Sequence, residues 1–337
     1  MIGCVADGLP RVGITGLGIS VPERVLTNYD LEKMVDTSDE WIVERTGIRE
    51  RHIAEPGQAA SDVAVPAARE ALERAGVSAE DIDLLIVATA SPDMLFPASA
   101  SLVADQIGAV NAAAYDLLAG CTGWVYALAQ AYGVVAGGLA DRALVIGSEA
   151  LSKLMNWNDR TTCVLFGDGA GAAVLERVGD GGFLGFELGS DGSGGPDLCV
   201  PAGGSRAPAS PGTVEQDLHY IQMNGREVFK FATRAMVTSA ERLLEACGLA
   251  VADVDLYVPH QANRRIIDHA VRHLGLPPEK VRLNVERYGN TSSASIPICL
   301  YEAMVDGALE DGATVLMTAV GAGLTWGSTL LVWKDRK

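Results

Sequence analysis

Three residues could combine into a reactive centre: Cys121, His260 and Asn290. Cys121 stands where the apolar run before Ala119-Gly120 ends and the helix-length run TGWVYALAQAYGVVAGG begins. A thiol at a helix N-terminus meets unpaired backbone N–H groups and the positive end of the helix dipole, which favour the thiolate. The run is apolar nearly all round, as in a helix buried within the protein. Burial opposes ionisation, so an additional activating group is expected. The same residues also fit a core cysteine in a tight strand–helix turn. His260 follows the apolar strand of DLYVPHQANRRII, and strand ends are where sites form in α/β sheets; a structural histidine is the other reading. Asn290, in RYGNTSSAS, also fits a turn or N-cap asparagine.

Other motifs carry less. FGDGAGAAVL has the glycine spacing of a dinucleotide loop, but Ala172 to Glu176 read as the next strand, so a hairpin is expected and no nicotinamide site is assigned. GAGLTWGSTLLVW sets a Gly-Ala-Gly turn before a strand, where backbone N–H groups can face an oxyanion or simply close a hairpin. The cysteines (Cys4, Cys121, Cys163, Cys199, Cys247 and Cys299) form no C-x-x-C pair, which argues against a metal site and predicts scattered free thiols.

The elements that must position these residues come in two sets. LERAGVSAEDIDLLIVATA, from Leu72, aligns without gaps with LEACGLAVADVDLYVPHQA, from Leu244. Each is a helix end, a glycine stop and a strand after D-[IV]-D-L. AYDLLAGCT and LNVERYGNT form a second pair, and FGDGAGAAVL and GLTWGSTLLV a weaker third in the same order. An ordered series argues for duplication. We read two similar α/β halves, 1–180 and 181–337, with sheets covered on both faces. The stretch Gly189 to Gly212, rich in Gly, Ser and Pro, reads as a long surface loop or flap. Packed about a pseudo-dyad, the halves could bring Cys121, His260 and Asn290 together.

At 48% hydrophobic residues, 337 residues can bury a large core. A net charge of −17 argues against nucleic acid and anionic membranes as partners. No bilayer-spanning run or secretory signal is read, so a cytoplasmic location is expected. Residues 222–290 depart from the acidic average, with ten Lys/Arg against eight Asp/Glu. Gathered on one helical face, these cations could receive an anionic partner; a solvated mixed-charge surface is the alternative.

Taken in order, TSDEWIVERTGIRERHIA, LFPASASLVADQIG, AGCTGWVYAL, FGDGAGAAVLE, MNGREVFKFA, VPHQANRRII, YGNTSSASIP and GLTWGS span nearly the whole chain. The chain resembles the β-ketoacyl-acyl carrier protein synthase III family, the initiating condensing enzymes of fatty acid synthesis. The resemblance implies a thiolase-like five-layer α-β-α-β-α fold of two duplicated halves, working as a homodimer. It implies a Cys121–His260–Asn290 triad: Cys121 takes an acyl group from acyl-CoA, then malonyl-acyl carrier protein is decarboxylated and its enolate attacks the acyl-Cys121 carbonyl. Backbone N–H groups of Cys121 and Ala322 match the second oxyanion site; many relatives carry Gly at the latter position. Trp41, Arg45, Arg160 and Asn263 match positions holding the CoA or pantetheine arm. Phe96 matches a residue closing the partner's acyl pocket across the dimer, and Trp124 stands close to the thiol where it is expected to narrow the acyl tunnel. Lys230, Arg265 and Arg272 match the docking face for the carrier protein. No metal and no cofactor beyond the substrates is implied.

Other functions share some of these features. A same-fold acyltransferase or specialised-metabolite ketosynthase would keep the triad with another acceptor. A Cys-His-Asn hydrolase uses the same residue types in the same chain order, though the duplication disfavours it. A noncatalytic acyl-CoA-binding subunit would have no need for all three triad residues.

Overall fold

The computed structural model describes residues 1–6 and 8–335. The strands of the two main sheets are β1 (Ile2–Cys4), β2 (Val12–Ser20), β3 (Leu84–Ala88), β4 (Ala113–Leu117), β5 (Arg142–Glu149), β6 (Gly169–Arg177), β7 (Gly182–Ser190), β8 (Leu256–Pro259), β9 (Thr314–Gly321) and β10 (Thr325–Val332). The principal helices are α1 (Asp39–Thr46), α2 (Ala60–Ala75), α3 (Ser99–Ile107), α4 (Gly123–Ala136), α5 (Gly225–Ala246), α6 (Arg264–Leu274) and α7 (Ser295–Val305).

The first sheet has strand order β2-β6-β5-β3-β4 and the second β1-β7-β10-β9-β8. Strands β3, β4 and β5 pair in parallel, as do β8 and β9; β6 and β10 are antiparallel to their neighbours. Between the sheets lie α4 and α7, whose residues share one core with both. Outside the first sheet pack α2 and α3, and outside the second α5 and α6. The five-layer stack is thus borne out.

The duplication is visible in the backbone. Gly76 and Gly248 end α2 and α5 in the same left-handed conformation, φ +66° and +65°, a position at which glycine carries no steric penalty. Single 3₁₀ turns, Gly120–Thr122 and Ser292–Ala294, lead into the two central helices. They lie 172 residues apart, the same offset as the aligned repeat.

Three expectations need correction. The boundary near residue 180 fails at the N-terminus, because β1 pairs with β7 and belongs to the second sheet. Cys4 and Cys247 are not free thiols but are disulfide-bonded, Cα to Cα 5.3 Å. A separation of 243 residues hid the pair, which forms because β1 runs along the sheet that α5 covers. The glycine run of FGDGAGAAVL is no hairpin turn: Gly169 to Gly171 already lie inside β6. A Cβ on Gly171 would stand 2.6 Å from the Pro297 side chain, so the glycines admit α7 rather than a phosphate.

Gly147, in β5, is equally constrained: an added Cβ would lie 2.4 Å from the Ser293 carbonyl oxygen. We expect Gly147→Ala to cost about 1–3 kcal/mol through this clash. A lowered urea midpoint at unchanged m-value checks it.

Candidate active site

Cys121 sits in the 3₁₀ turn before α4, buried to 8% exposure. Gly120 takes φ +56°, and a Cβ there would meet the Ala322 nitrogen at 2.8 Å. On the facing turn, a Cβ on Gly321 would meet the Cys121 nitrogen at 2.6 Å. The turns of the two halves therefore touch backbone to backbone, which only glycine permits. The Thr122 hydroxyl donates to Thr325 Oγ1 at 2.9 Å, pinning them together. Burial pushes the Cys121 thiol up to about 12; the Ser292 hydroxyl pulls it down and the Glu149 carboxylate pushes it further up.

His260 follows β8, which packs against α7 and holds the histidine at 1% exposure. Its Nδ1 lies 2.6 Å from Ser295 Oγ, which also accepts from the Gln261 N–H at 3.3 Å. The Ser295 hydroxyl has no other acceptor among the described residues, so it donates to Nδ1, and the ring hydrogen sits on Nε2. Burial lowers the imidazole to about 3, so the ring is neutral near pH 7.

Asn290 is held by backbone bonds to the 165–167 segment, its N–H donating to Leu165 and its carbonyl accepting from Gly167. Its side-chain Oδ1 accepts the Ser292 N–H at 2.9 Å. The amide oxygen is occupied, which leaves the NH₂ to donate. Cys121, His260 and Asn290 line one cavity of about 110 Å³ between the halves. A thiol thus faces two neutral donors, each oriented through its other end. Such a pair can stabilise an oxyanion developing between them.

A second cavity, about 670 Å³, also opens from Cys121 and is walled largely by apolar side chains, including Leu117, Tyr126, Leu154 and Ile221. Leu198 to Val200, within the 189–212 stretch, form part of its wall, so that stretch covers the site on this side. The Tyr126 hydroxyl holds the flap's base by donating to the Gly189 carbonyl at 2.8 Å. Trp124 does not narrow this chamber: it is wholly buried in the core between the sheets. Tyr126 and Gln130, four residues apart on α4, share the face that reaches the cavity. Phe96 is 84% exposed and lines neither cavity at Cys121.

Trp41, Arg45, Arg160 and Asn263 come together at the rim. The Arg45 and Arg160 guanidinium groups lie 5.6 and 5.4 Å from the Trp41 ring centroid. Asn263 caps α6 and donates its side-chain N–H to the Arg45 carbonyl at 3.1 Å. Lys230 projects from α5, while Arg265 and Arg272 line a surface groove along α6 with Phe229 at its wall. Arg265 lies over the Phe229 ring. Ala322 follows β9 in the turn facing Gly120.

Sequence reasoning missed Glu149, Ser292 and Ser295. Ser292 and Ser295 stood in GNTSSAS without a role. Glu149 carried one signal: it ends β5 at the repeat position of Gly321, so a charged residue follows the apolar run Ala143 to Gly147 at the site's edge.

Two family models match: 3-oxoacyl-[acyl-carrier-protein] synthase III over residues 115–192, and its C-terminal model over 244–333. The β-ketoacyl-[acyl-carrier-protein] synthase III of Symbiobacterium thermophilum is 61% identical over 323 residues, 96% of this chain and 98% of that protein. The chain belongs to the β-ketoacyl-acyl carrier protein synthase III family. The namesake enzyme of Desulfitobacterium hafniense is 55% identical over 326 residues, covering 96% of this chain and 98% of its own. The Thermus thermophilus crystal structure of this family superposes with a TM-score of 0.89 at 51% identity, covering 96% of this chain and all of that one. The priming β-ketosynthase of the R1128 polyketide pathway superposes with a TM-score of 0.90 at 36% identity, over 99% of both chains. The fold is that of the thiolase-like condensing enzymes, and the protein is an acyl-transferring condensing enzyme of this family. Among the described residues no helix is long and apolar enough to cross a membrane.

Proposed function

We propose that the protein loads a short acyl group from acyl-CoA onto Cys121 and condenses it with malonyl-acyl carrier protein, giving β-ketoacyl-acyl carrier protein and initiating fatty acid synthesis. The supporting observation is the single cavity in which the buried thiol faces two neutral donors, His260 Nε2–H and the Asn290 amide. The thioester carbonyl of the malonyl group sits against those donors. Loss of carbon dioxide leaves an enolate whose negative oxygen they stabilise, and its carbon attacks the acyl-Cys121 carbonyl. The backbone N–H groups of Cys121 and Ala322 receive the second oxyanion. The reaction as written consumes no cofactor.

The starter acyl chain occupies the apolar cavity under the flap. The CoA arm lies along Trp41, Arg45, Arg160 and Asn263, where guanidinium groups suit phosphates and the indole offers a stacking face. A homodimer fits the exposed edge of the first sheet: among the described residues β4 has no second neighbour, and Leu95, Phe96, Val110 and Leu118 are exposed. Two copies joined there would carry Phe96 toward the partner's chamber. A cytoplasmic location is part of this reading.

Intact mass after mixing with acetyl-, isobutyryl- and hexanoyl-CoA tests the proposal. A single adduct at Cys121, discharged only by malonyl-acyl carrier protein with release of carbon dioxide, is expected. An adduct lost to water would instead assign a hydrolase.

The cationic groove of α5 and α6 is the docking face for the acidic carrier protein. Lys230→Glu with Arg265→Glu should raise KM for malonyl-acyl carrier protein about tenfold or more, a loss of about 1.4 kcal/mol, with acyl-CoA loading little changed. An unchanged KM removes the docking assignment.

A further inference from the structure

Two cavities meet at the Cys121 thiol, and they differ in kind. The small one, about 110 Å³, holds both donors, His260 and Asn290, and reaches Asn263 at the rim. The large one, about 670 Å³, contains neither donor and is walled mostly by apolar side chains. Among the described residues three line both: Cys121, Phe166 and Leu198. The sulfur is thus the shared corner, and the other two side chains stand between the chambers.

Each of the two is held where it stands. Phe166 is 4% exposed and packs with Leu151, Met155 and Ile221. It forms an isolated parallel bridge with Asn290, whose N–H donates to the Leu165 carbonyl at 2.9 Å and whose carbonyl accepts from the Gly167 N–H at 3.0 Å. The phenylalanine and the donor asparagine are therefore neighbours, and both reach the small cavity. Leu198 belongs to the two-residue strand Leu198–Cys199, which pairs antiparallel with Gln222–Met223. Cys199 and Val200 line the large cavity alone and Met223 the small one alone, so this short ribbon runs along the divide. Neither Phe166 nor Leu198 has a polar side-chain atom to offer a substrate. What they offer is bulk and apolar surface.

We propose that Phe166 and Leu198 are specificity-determining residues that partition the site, keeping the starter's tail in the large chamber and out of the cavity where malonyl is decarboxylated. The proposal rests on the condensation reading above. Both substrates are thioesters that reach the same sulfur in turn. With the acyl carbonyl at that sulfur, an apolar, flexible tail without a wall would occupy either space. A cavity of about 110 Å³ has no room for a tail and a malonyl thioester together, so a tail lodged there competes with malonyl for His260 and Asn290. The competition grows with chain length, because each added methylene buries more apolar surface. Phe166 and Leu198 remove it by filling the passage between the chambers. The tail is left with the large cavity, and the donors are left with the malonyl thioester.

The test uses enzyme preloaded from acetyl-, butyryl- or hexanoyl-CoA and reads the half-saturating concentration of malonyl-acyl carrier protein in single-turnover condensation. Intact mass confirms the loading, and thermal midpoints are measured in parallel. In the wild type this concentration should change less than about twofold from the shortest to the longest starter that loads. In Phe166→Ala it should rise about tenfold over the same range, since even one methylene in an apolar pocket is worth about tenfold. Leu198→Ala, at a half-buried position, should show a smaller rise of the same sign, and Phe166→Leu should return close to the wild-type profile. No dependence on chain length in either alanine variant overturns the partition. So does a wild type that already shows the steep dependence. An equal rise for every starter with a lowered midpoint makes the wall merely structural and overturns it too. A wild type that loads acetyl alone has no tail to partition, with the same result. Leu198→Ala decides the matter should Phe166→Ala fail to fold. A wild type that loads no acyl-CoA overturns the functional reading itself; loaded enzymes that respond alike to every starter overturn the partition alone.

Discussion

Cys121→Ala should carry no acyl adduct from any acyl-CoA, and condensation should fall by at least about 10⁴-fold, as expected when a covalent nucleophile is removed. The truncation deletes one sulfur atom facing a cavity, so the melting midpoint should stay near that of the wild type. Intact mass with each acyl-CoA is the measurement. The control is internal to the site: Cys199 lines the same chamber, and an adduct surviving in Cys121→Ala would move the nucleophile there. The pH dependence comes from burial. With the Cys121 thiol pushed up to about 12, the sulfur is protonated at neutral pH, and the thiolate fraction grows about tenfold per pH unit below that value. Iodoacetamide alkylation of the free enzyme should therefore climb steadily through the neutral and mildly alkaline range. A plateau near pH 7 would mean that the thiolate is already formed.

His260→Ala and Asn290→Ala should behave in the opposite way: both acquire the acyl group, and both fail to decarboxylate malonyl-acyl carrier protein. The loss should be about 10²- to 10³-fold for each donor, since each supplies a preorganised bond to an oxyanion that exists only along the reaction path. Carbon dioxide release by preloaded enzyme, measured beside the mass of the acyl adduct, separates the steps. The imidazole is held near 3, below its ordinary 6.5, so it stays neutral as pH falls through 6.5. The decarboxylation rate should accordingly show no imidazole limb in that region. A His260→Ala enzyme that cannot be acylated would refute the division of labour.

The sequence alone determined the duplicated α/β plan, because a helix stop, a loop and an apolar strand repeat at one offset and such local patterns are written in neighbouring residues. It also marked Cys121, His260 and Asn290 as candidates, since each lies at the end of a readable strand-like run beside a glycine or proline, and the family resemblance joined them as a triad. Family resemblance then supplied roles that spacing could not. Only the tertiary structure decided how the triad is tuned. Ser295 fixes the His260 tautomer from 35 positions away in the chain, and Glu149 reaches Ser293 across 144. Such contacts depend on the two halves closing on one another, and no periodicity records them. The fate of Trp124 makes the same point: its place three residues after Cys121 suggested the tunnel, but the packing of α4 between two sheets turned it into the core. The Cys4–Cys247 bond and the crossing of β1 into the second sheet likewise arise from pairings between distant segments. Local preference fixes elements over a few residues, whereas burial, protonation and side-chain direction are properties of what the closed fold brings alongside.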